Sequence, residues 1–345
     1  MAIPKLSIRM THSVRAPAKC FPATGKANDN RSMESLVSHA DLESSLAAIA
    51  CRNADPRAGI FGPNSITWKI NRESGVFLGA GRAALLQLAH PWVATAIAQH
   101  STVLNQPIAR FHNTFRIVFA MIFGSREQAL AAARHLHALH THIRGELPEP
   151  VGAWPRAAHY EANDIAALRW VYATLVESAL LAYECVLPLT AAERDQYYQE
   201  SRTLAALFGI PASCLPENWA AFASYSRDML DSGALGVNAA ARSMGQAILS
   251  GAGSWIHPPH WYRALTADWL PPRLRQDFAL TTNARAADRA RRWLPRVYRT
   301  LPGSIRFVGP YHEAQARLRG REESWLTRRN TGFWIGQPLL PFRAR

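Results

Sequence analysis

The sequence predicts an all-α protein built as one large multi-helical domain, on three observations. Apolar residues recur at three- and four-residue spacing through most of the chain. Long β segments are absent, and helix start and stop signals punctuate the apolar runs. Of 345 residues, 48% are hydrophobic, with 11 Trp, 13 Phe and 9 Tyr, enough to fill a sizeable core and to wall a large apolar ligand.

Residues 1–33 mix Pro, Lys, Arg, Asn and Gly without periodicity and read as a disordered leader, with Met33 as an alternative start. A helix and loop lead-in occupies residues 34–70. Ser35 to Ala50 has helical spacing, and Cys51 to Lys69, carrying Pro56, Gly59, Gly62 and Pro63, reads as a loop. The helical body spans residues 71–330, and 331–345 form a tail.

Ser74 to His90 is rich in small residues and then apolar, which implies close helix packing before Pro91 ends or restarts the helix. Gly75, Gly79 and Gly81 do not spell a dinucleotide-binding loop. Helix resumes to about His100. Pro107 to Gly145 reads as two helices: Pro107 suits a first turn, Gly124 stops the first helix, and Ser125 with Gln128 forms a capping box for the second. Gly145 then sits as the residue just past a helix end at Arg144. Further helices follow, bearing Trp219, Phe222, Tyr225, Trp255, Trp261, Tyr262 and Trp269, mostly core residues with the capacity to line an apolar cavity.

The formal charge of +14 is spread along the chain except from Pro271 to Arg345, where 16 Arg face 5 acids. Arginine there suits phosphate, haem propionates or anionic lipid, against the plainer reading of a solvated surface. No specific nucleic-acid partner is expected, and peripheral membrane contact is left open. Cys20, Cys51, Cys185 and Cys214 are too scattered for zinc or a disulfide framework. With no secretory signal and no transmembrane span expected, the sequence points to a reducing, cytoplasmic setting.

Four histidines, His135, His137, His140 and His142, fall on the second helix of the pair. His137 and His140 share a face; His135 and His142, seven apart, face roughly together. No Glu-x-x-His pair accompanies them, so spacing alone does not make a metal site. Glu177, in an apolar helix, needs an Arg or Tyr partner or a raised pKa. His90 and His100 suit packing and helix termination.

The order LLQLAHP, Arg110-x-x-x-Thr114, IFGSREQALAAA, HTHIRG, then WVYATLVESALLAYE, LTAAERDQYYQES, LTADWLPPRLR and RVYRTLPGSIRF resembles the family of latex clearing protein and MpaB-type haem b oxygenases over roughly residues 70 to 320. The resemblance implies a b-type haem (iron) buried among helices, with His140, opening a His-x-x-hydrophobic-x-Gly motif, as the iron ligand and His137 as its nearest rival. It implies that Arg110 and Thr114 contact the haem and steer dioxygen, against ordinary roles as a salt bridge and a back-bonded hydroxyl. It further implies oxygenation or C=C cleavage of an apolar, isoprenoid-like substrate. Rubber-cleaving relatives carry lysine where this chain has Asn113, which disfavours latex, and many relatives have histidine where this chain has Tyr172. Competing readings are a non-catalytic haem or hydrophobic-ligand binder and a basic nucleic-acid-binding helical protein.

Overall fold

The computed structural model describes residues 35–52, 55–100, 107–252, 257–337 and 339, with side chains from residue 111 onward in the third of these stretches. The predicted leader and Trp255 lie outside them. Helices account for almost all regular structure, as predicted.

The lead-in contributes α1 (His39–Ala50), whose Ser38 cap and Asp41 form a capping box. It also contributes α2 (Ile66–Asn71), inside the stretch that sequence reads as loop. The Ser65 hydroxyl accepts from the Trp68 amide, and Ile66, Trp68 and Ile70 are all buried. Burial of these three side chains outweighs the Pro and Gly signals around them. Val37, Leu42 and Leu46 join the same core as Ile335 and Leu339 near the other end of the chain.

A 3-10 turn (Ser74–Gly79) leads into α3 (Ala80–Leu88), and α4 (Pro91–His100) restarts at Pro91. Then come α5 (Pro107–Phe123) and α6 (Arg126–Thr141), an antiparallel hairpin. A two-stranded antiparallel sheet, β1 (Arg144–Glu146) with β2 (His159–Glu161), pairs Gly145 with Tyr160.

The centre is α7 (Ile165–Val186), packed by the 3-10 turn, α3, α8 (Ala191–Leu207) and α13 (Ala284–Thr300). At 22 residues it is the one helix among those described that is long and apolar enough to cross a membrane. Its buried Trp170, Tyr172, Val176, Leu180 and Tyr183, contacted on several sides, give it the part of a core helix. Trp170 Nε1 donates to the Leu86 carbonyl at 2.9 Å, locking α7 to α3.

The remaining helices are α9 (Trp219–Asp231), α10 (Ala239–Ser250), α11 (His260–Asp268), α12 (Pro272–Asp277), α14 (Gly303–Arg306), α15 (Gly309–Leu318) and α16 (Trp325–Ile335). Phe222 and Tyr225 are core residues, Phe222 packing on Tyr172 and Tyr198.

The glycine run makes the close approach expected of it. A Cβ on Gly75 would meet Val186 at 2.8 Å, and one on Gly79 would meet the Ser178 carbonyl oxygen at 2.3 Å. Gly145, in contrast, caps no helix. The α6 helix ends at Thr141 with His142 as its cap, and Gly145 is a strand residue whose Cβ would lie 2.8 Å from the Tyr160 hydroxyl. Space, not a left-handed turn, demands glycine there.

Candidate functional site

The α5–α6 hairpin is fixed at its closed end. Ser125 Oγ accepts from the Gln128 amide at 3.2 Å while Gln128 Oε1 accepts from the Ser125 amide at 2.8 Å. Trp68 Nε1 donates to the Ile122 carbonyl at 2.8 Å, and Phe119 to Phe123 are buried. On α6 the inward positions are small, with Ala129, Ala132 and Ala133 buried, which lets the neighbouring helices close in. The open end of the hairpin carries Arg110 and Thr114 on α5 and the histidines on α6, at comparable heights because both helices rise about 1.5 Å per residue from the same turn.

Helical geometry separates the four histidines. At about 100° per residue, His140 lies within roughly 20° of the line through Ala129, Ala133 and Leu136, His137 lies about 60° to one side of it, and His135 and His142 point away. Burial follows: His140 is half-buried, His135 and His142 are exposed. His137 is also half-buried, its Nε2 3.0 Å from the Val37 carbonyl and its ring 6.1 Å from that of His39. Burial and the Arg116 charge both lower the pKa of His135. The inward line through Ala129, Ala133 and Leu136 to His140 is present in the sequence as i, i+4, i+7, i+11 spacing, a signal that the histidine spacings alone do not reveal.

Thr114 is solvent-exposed, as is Asn113, whose amide oxygen accepts from Arg116 Nη2 at 3.1 Å. Arg110 lies in α5 with its side chain outside the described residues. Phe111 and Phe115, half-buried on the same helix, meet Phe77 with ring centroids 5.6 and 4.7 Å apart, and Phe77 stacks on Trp334 at 4.1 Å. An aromatic wall therefore runs along one side of α5. The two concavities formed between α10, α11 and α13 are lined by residues of neither α5 nor α6.

Glu177 has the arginine partner its burial requires. Arg82 Nη2 donates to Glu177 Oε2 at 2.9 Å, Nη1 to Ser178 Oγ at 2.9 Å and Nε to the Trp269 carbonyl at 3.1 Å. With each guanidinium nitrogen engaged, this group holds α3 to α7. Tyr172 is wholly buried, its hydroxyl 2.7 Å from Ser201 Oγ, and burial pushes its pKa far above the usual phenol value. It stays neutral.

A network that sequence reasoning did not anticipate ties the two ends of the body together. Glu73, 1% exposed, takes an ion pair from Arg306 Nε at 2.9 Å and a hydrogen bond from the Tyr298 hydroxyl at 3.0 Å, while the Gly75 amide donates to that hydroxyl at 2.9 Å. Nothing local in the sequence announces partners more than 220 residues away.

His90 is buried against Trp92 and Trp154, its Nδ1 without a hydrogen-bond partner among the described residues, and burial alone pushes its pKa down to about 4. The folded protein thus holds His90 neutral where the unfolded chain, near 6.5, takes up a proton. Stability from this group is complete above about pH 6.5 and falls as pH drops toward 4, by up to roughly 3 kcal/mol. Denaturant unfolding at pH 7 and near pH 4.5 should show that loss in wild type and a flatter dependence in His90→Phe; parallel slopes would contradict it.

His100 is exposed at the end of α4, its ring 6.4 Å from that of Tyr160. Cys51, Cys185 and Cys214 form no disulfide among the described residues, and Cys20 lies outside them.

A helical body whose family supports oxygenase-type chemistry defines the class: an all-α oxygenase-type catalytic domain. Residues 68–301 match the family described as ER-bound oxygenase mpaB/B'/rubber oxygenase, catalytic domain, and the chain belongs to that family. No curated protein and no solved structure matches the chain. The matched stretch begins within α2 and ends just past α13, so it includes Arg82, His90, the whole α5–α6 hairpin and Glu177.

Proposed function

We propose that the protein is a haem b-dependent oxygenase in which His140 ligates the iron and an apolar, isoprenoid-like substrate is oxidised by dioxygen. The observation that carries this reading is the position of His140, the one histidine of four that continues the inward line of α6. The donor chemistry fits. Among the described residues no three His, Cys, Asp or Glu side chains gather to hold a bare metal ion, so a lone imidazole suits a cofactor that brings most of its own ligands.

When bound, the haem would supply dioxygen activation and the oxidation or cleavage of a carbon–carbon double bond. The chain's own residues do the rest. His140, on the last turn of a helix capped at both ends, would present its imidazole from a rigidly held position. Arg110 and Thr114, near the same end of the hairpin, would add a cation and a hydroxyl where dioxygen has to be oriented. Asn113, whose amide oxygen is already bonded to Arg116, would not compete as a ligand. The Phe77, Phe111 and Phe115 wall would favour an apolar substrate and exclude water.

The test is a visible absorption spectrum of purified protein, oxidised and dithionite-reduced, followed by oxygen uptake with isoprenoids. A Soret band with substrate-dependent uptake is the expected result. A Soret band without uptake would reduce the protein to a haem carrier, and no band even after haem reconstitution would overturn the proposal.

A further inference from the structure

The α13 helix carries five arginines, Arg285, Arg289, Arg292, Arg296 and Arg299, all exposed. Their spacing of four, three, four and three places them within an arc of about 80°. The opposite side, Ala287, Ala290, Leu294 and Tyr298, is buried against the body. Among the described residues none of the five has a carboxylate partner. Asp288, at the edge of the stripe, pairs instead with Arg291 at 3.1 Å, and Asp268 also pairs with Arg291.

Such an arrangement opposes stability. Four neighbouring like-charge pairs repel at i,i+3 or i,i+4 spacing, and Arg285 sits unfavourably in the first turn of the helix dipole. One flank of the stripe is apolar. Val297 is 49% exposed, Trp293 is half-buried with its ring 5.3 Å from Trp261, and Ile305, 62% exposed, follows in α14. Beside them His260, Trp261, Asn283, Ala286, Arg289 and Trp293 line a shallow groove.

We propose that this face of α13 docks the protein on an anionic lipid bilayer, the arginines meeting headgroups while Val297, Ile305 and Trp293 enter the interface. A stripe about 21 Å long matches a helix lying flat on a membrane. The exposed aliphatic side chains decide for lipid over nucleic acid, since phosphate-backbone contact gives them nothing to bury in. The inference is independent of the cofactor.

The test is co-sedimentation of the full chain with phosphatidylcholine vesicles, with and without about 30% phosphatidylserine, at roughly 0.1 M and 0.5 M salt. Binding only to the anionic vesicles, weakened by salt, is expected. The triple variant Arg289→Gln, Arg292→Gln, Arg296→Gln should bind about 100-fold more weakly. The control triple Arg52→Gln, Arg156→Gln, Arg227→Gln removes the same charge elsewhere and should bind like wild type. Val297→Ser with Ile305→Ser should weaken binding roughly tenfold. Thermal melting verifies folding, and relief of repulsion should leave the stripe variant at least as stable as wild type. Absence of binding to anionic vesicles, or equal losses in both triples, overturns the proposal. So does duplex DNA that displaces the protein from vesicles while the aliphatic double variant binds unchanged, an outcome assigning the face to nucleic acid.

Discussion

The His140→Ala variant is expected to lose the Soret band expected of wild type, and with it all oxygen uptake, while remaining folded. The imidazole continues the line of buried or half-buried Ala129, Ala133 and Leu136, so alanine there removes the proposed ligand and leaves a small, tolerable gap. His137→Ala is the informative comparison. Its imidazole is bound to the Val37 carbonyl and lies near His39, so that variant should keep the Soret band and lose about 1 kcal/mol of stability at the α1–α6 contact. Spectra of both proteins, loaded identically, separate the roles. Retention of an unshifted band by His140→Ala, or its loss from His137→Ala alone, would assign the ligand elsewhere.

Gly79→Ala should be among the most destabilising single substitutions in the chain. The new methyl would lie 2.3 Å from the Ser178 carbonyl oxygen and 2.9 Å from its carbon, inside the backbone of the central helix, where no flexible side chain can yield. Relief requires α7 to shift, and Ser178 and Glu177 are the residues that receive Arg82. Strain from overpacking and a loosened buried ion pair add, so a loss of about 3 kcal/mol or more is expected in denaturant unfolding, a large part of a typical folding free energy. Gly332→Ala makes the contrast: a Cβ there meets nothing within 4 Å and the position is helical, so a gain of roughly 0.5 to 1 kcal/mol is expected. Equal stability of Gly79→Ala and wild type would refute the close-packing argument.

These two glycines show what the chain makes legible. The small-residue run at Gly75 to Gly81 reads as close packing because the neighbouring apolar helix leaves little else for it to do. The α5–α6 hairpin is legible for a similar reason: Pro107, Gly124, Ser125 and Gln128 act locally, within a turn of where they stand. Glu177 announces a need for a partner, though not that Arg82 fills it. Gly145 misleads because one residue type serves both a left-handed cap and a crowded strand, and only Tyr160, 15 positions on, decides between them. The α2 helix is obscured by flanking Pro and Gly, since its stability comes from burial of Ile66, Trp68 and Ile70 and not from propensity. For the Arg-rich tail, a tally of charge averages over the helical period and hides the stripe on α13. At the proposed site, family resemblance leads to His140 where the histidine spacings alone do not, and solvent exposure separates it from His135 and His142; Thr114 on α5 remains at the surface.

The bond network around Glu73 sets an order of events during synthesis. Arg72 beside Glu73 pairs with it at 3.5 Å, but its closer partners Tyr298 and Arg306 lie 225 and 233 residues further along the chain, so at about 5 to 20 residues per second Glu73 emerges from the ribosome roughly 12 to 50 seconds before Arg306 does. Arg72 alone, at 3.5 Å and partly exposed, pairs this carboxylate loosely, so the segment around the 3-10 turn reaches its closed arrangement only when Tyr298 and Arg306 arrive. The seam between the 3-10 turn and α13 therefore closes late, and a nascent chain released before Arg306 would leave it open beside the central helix.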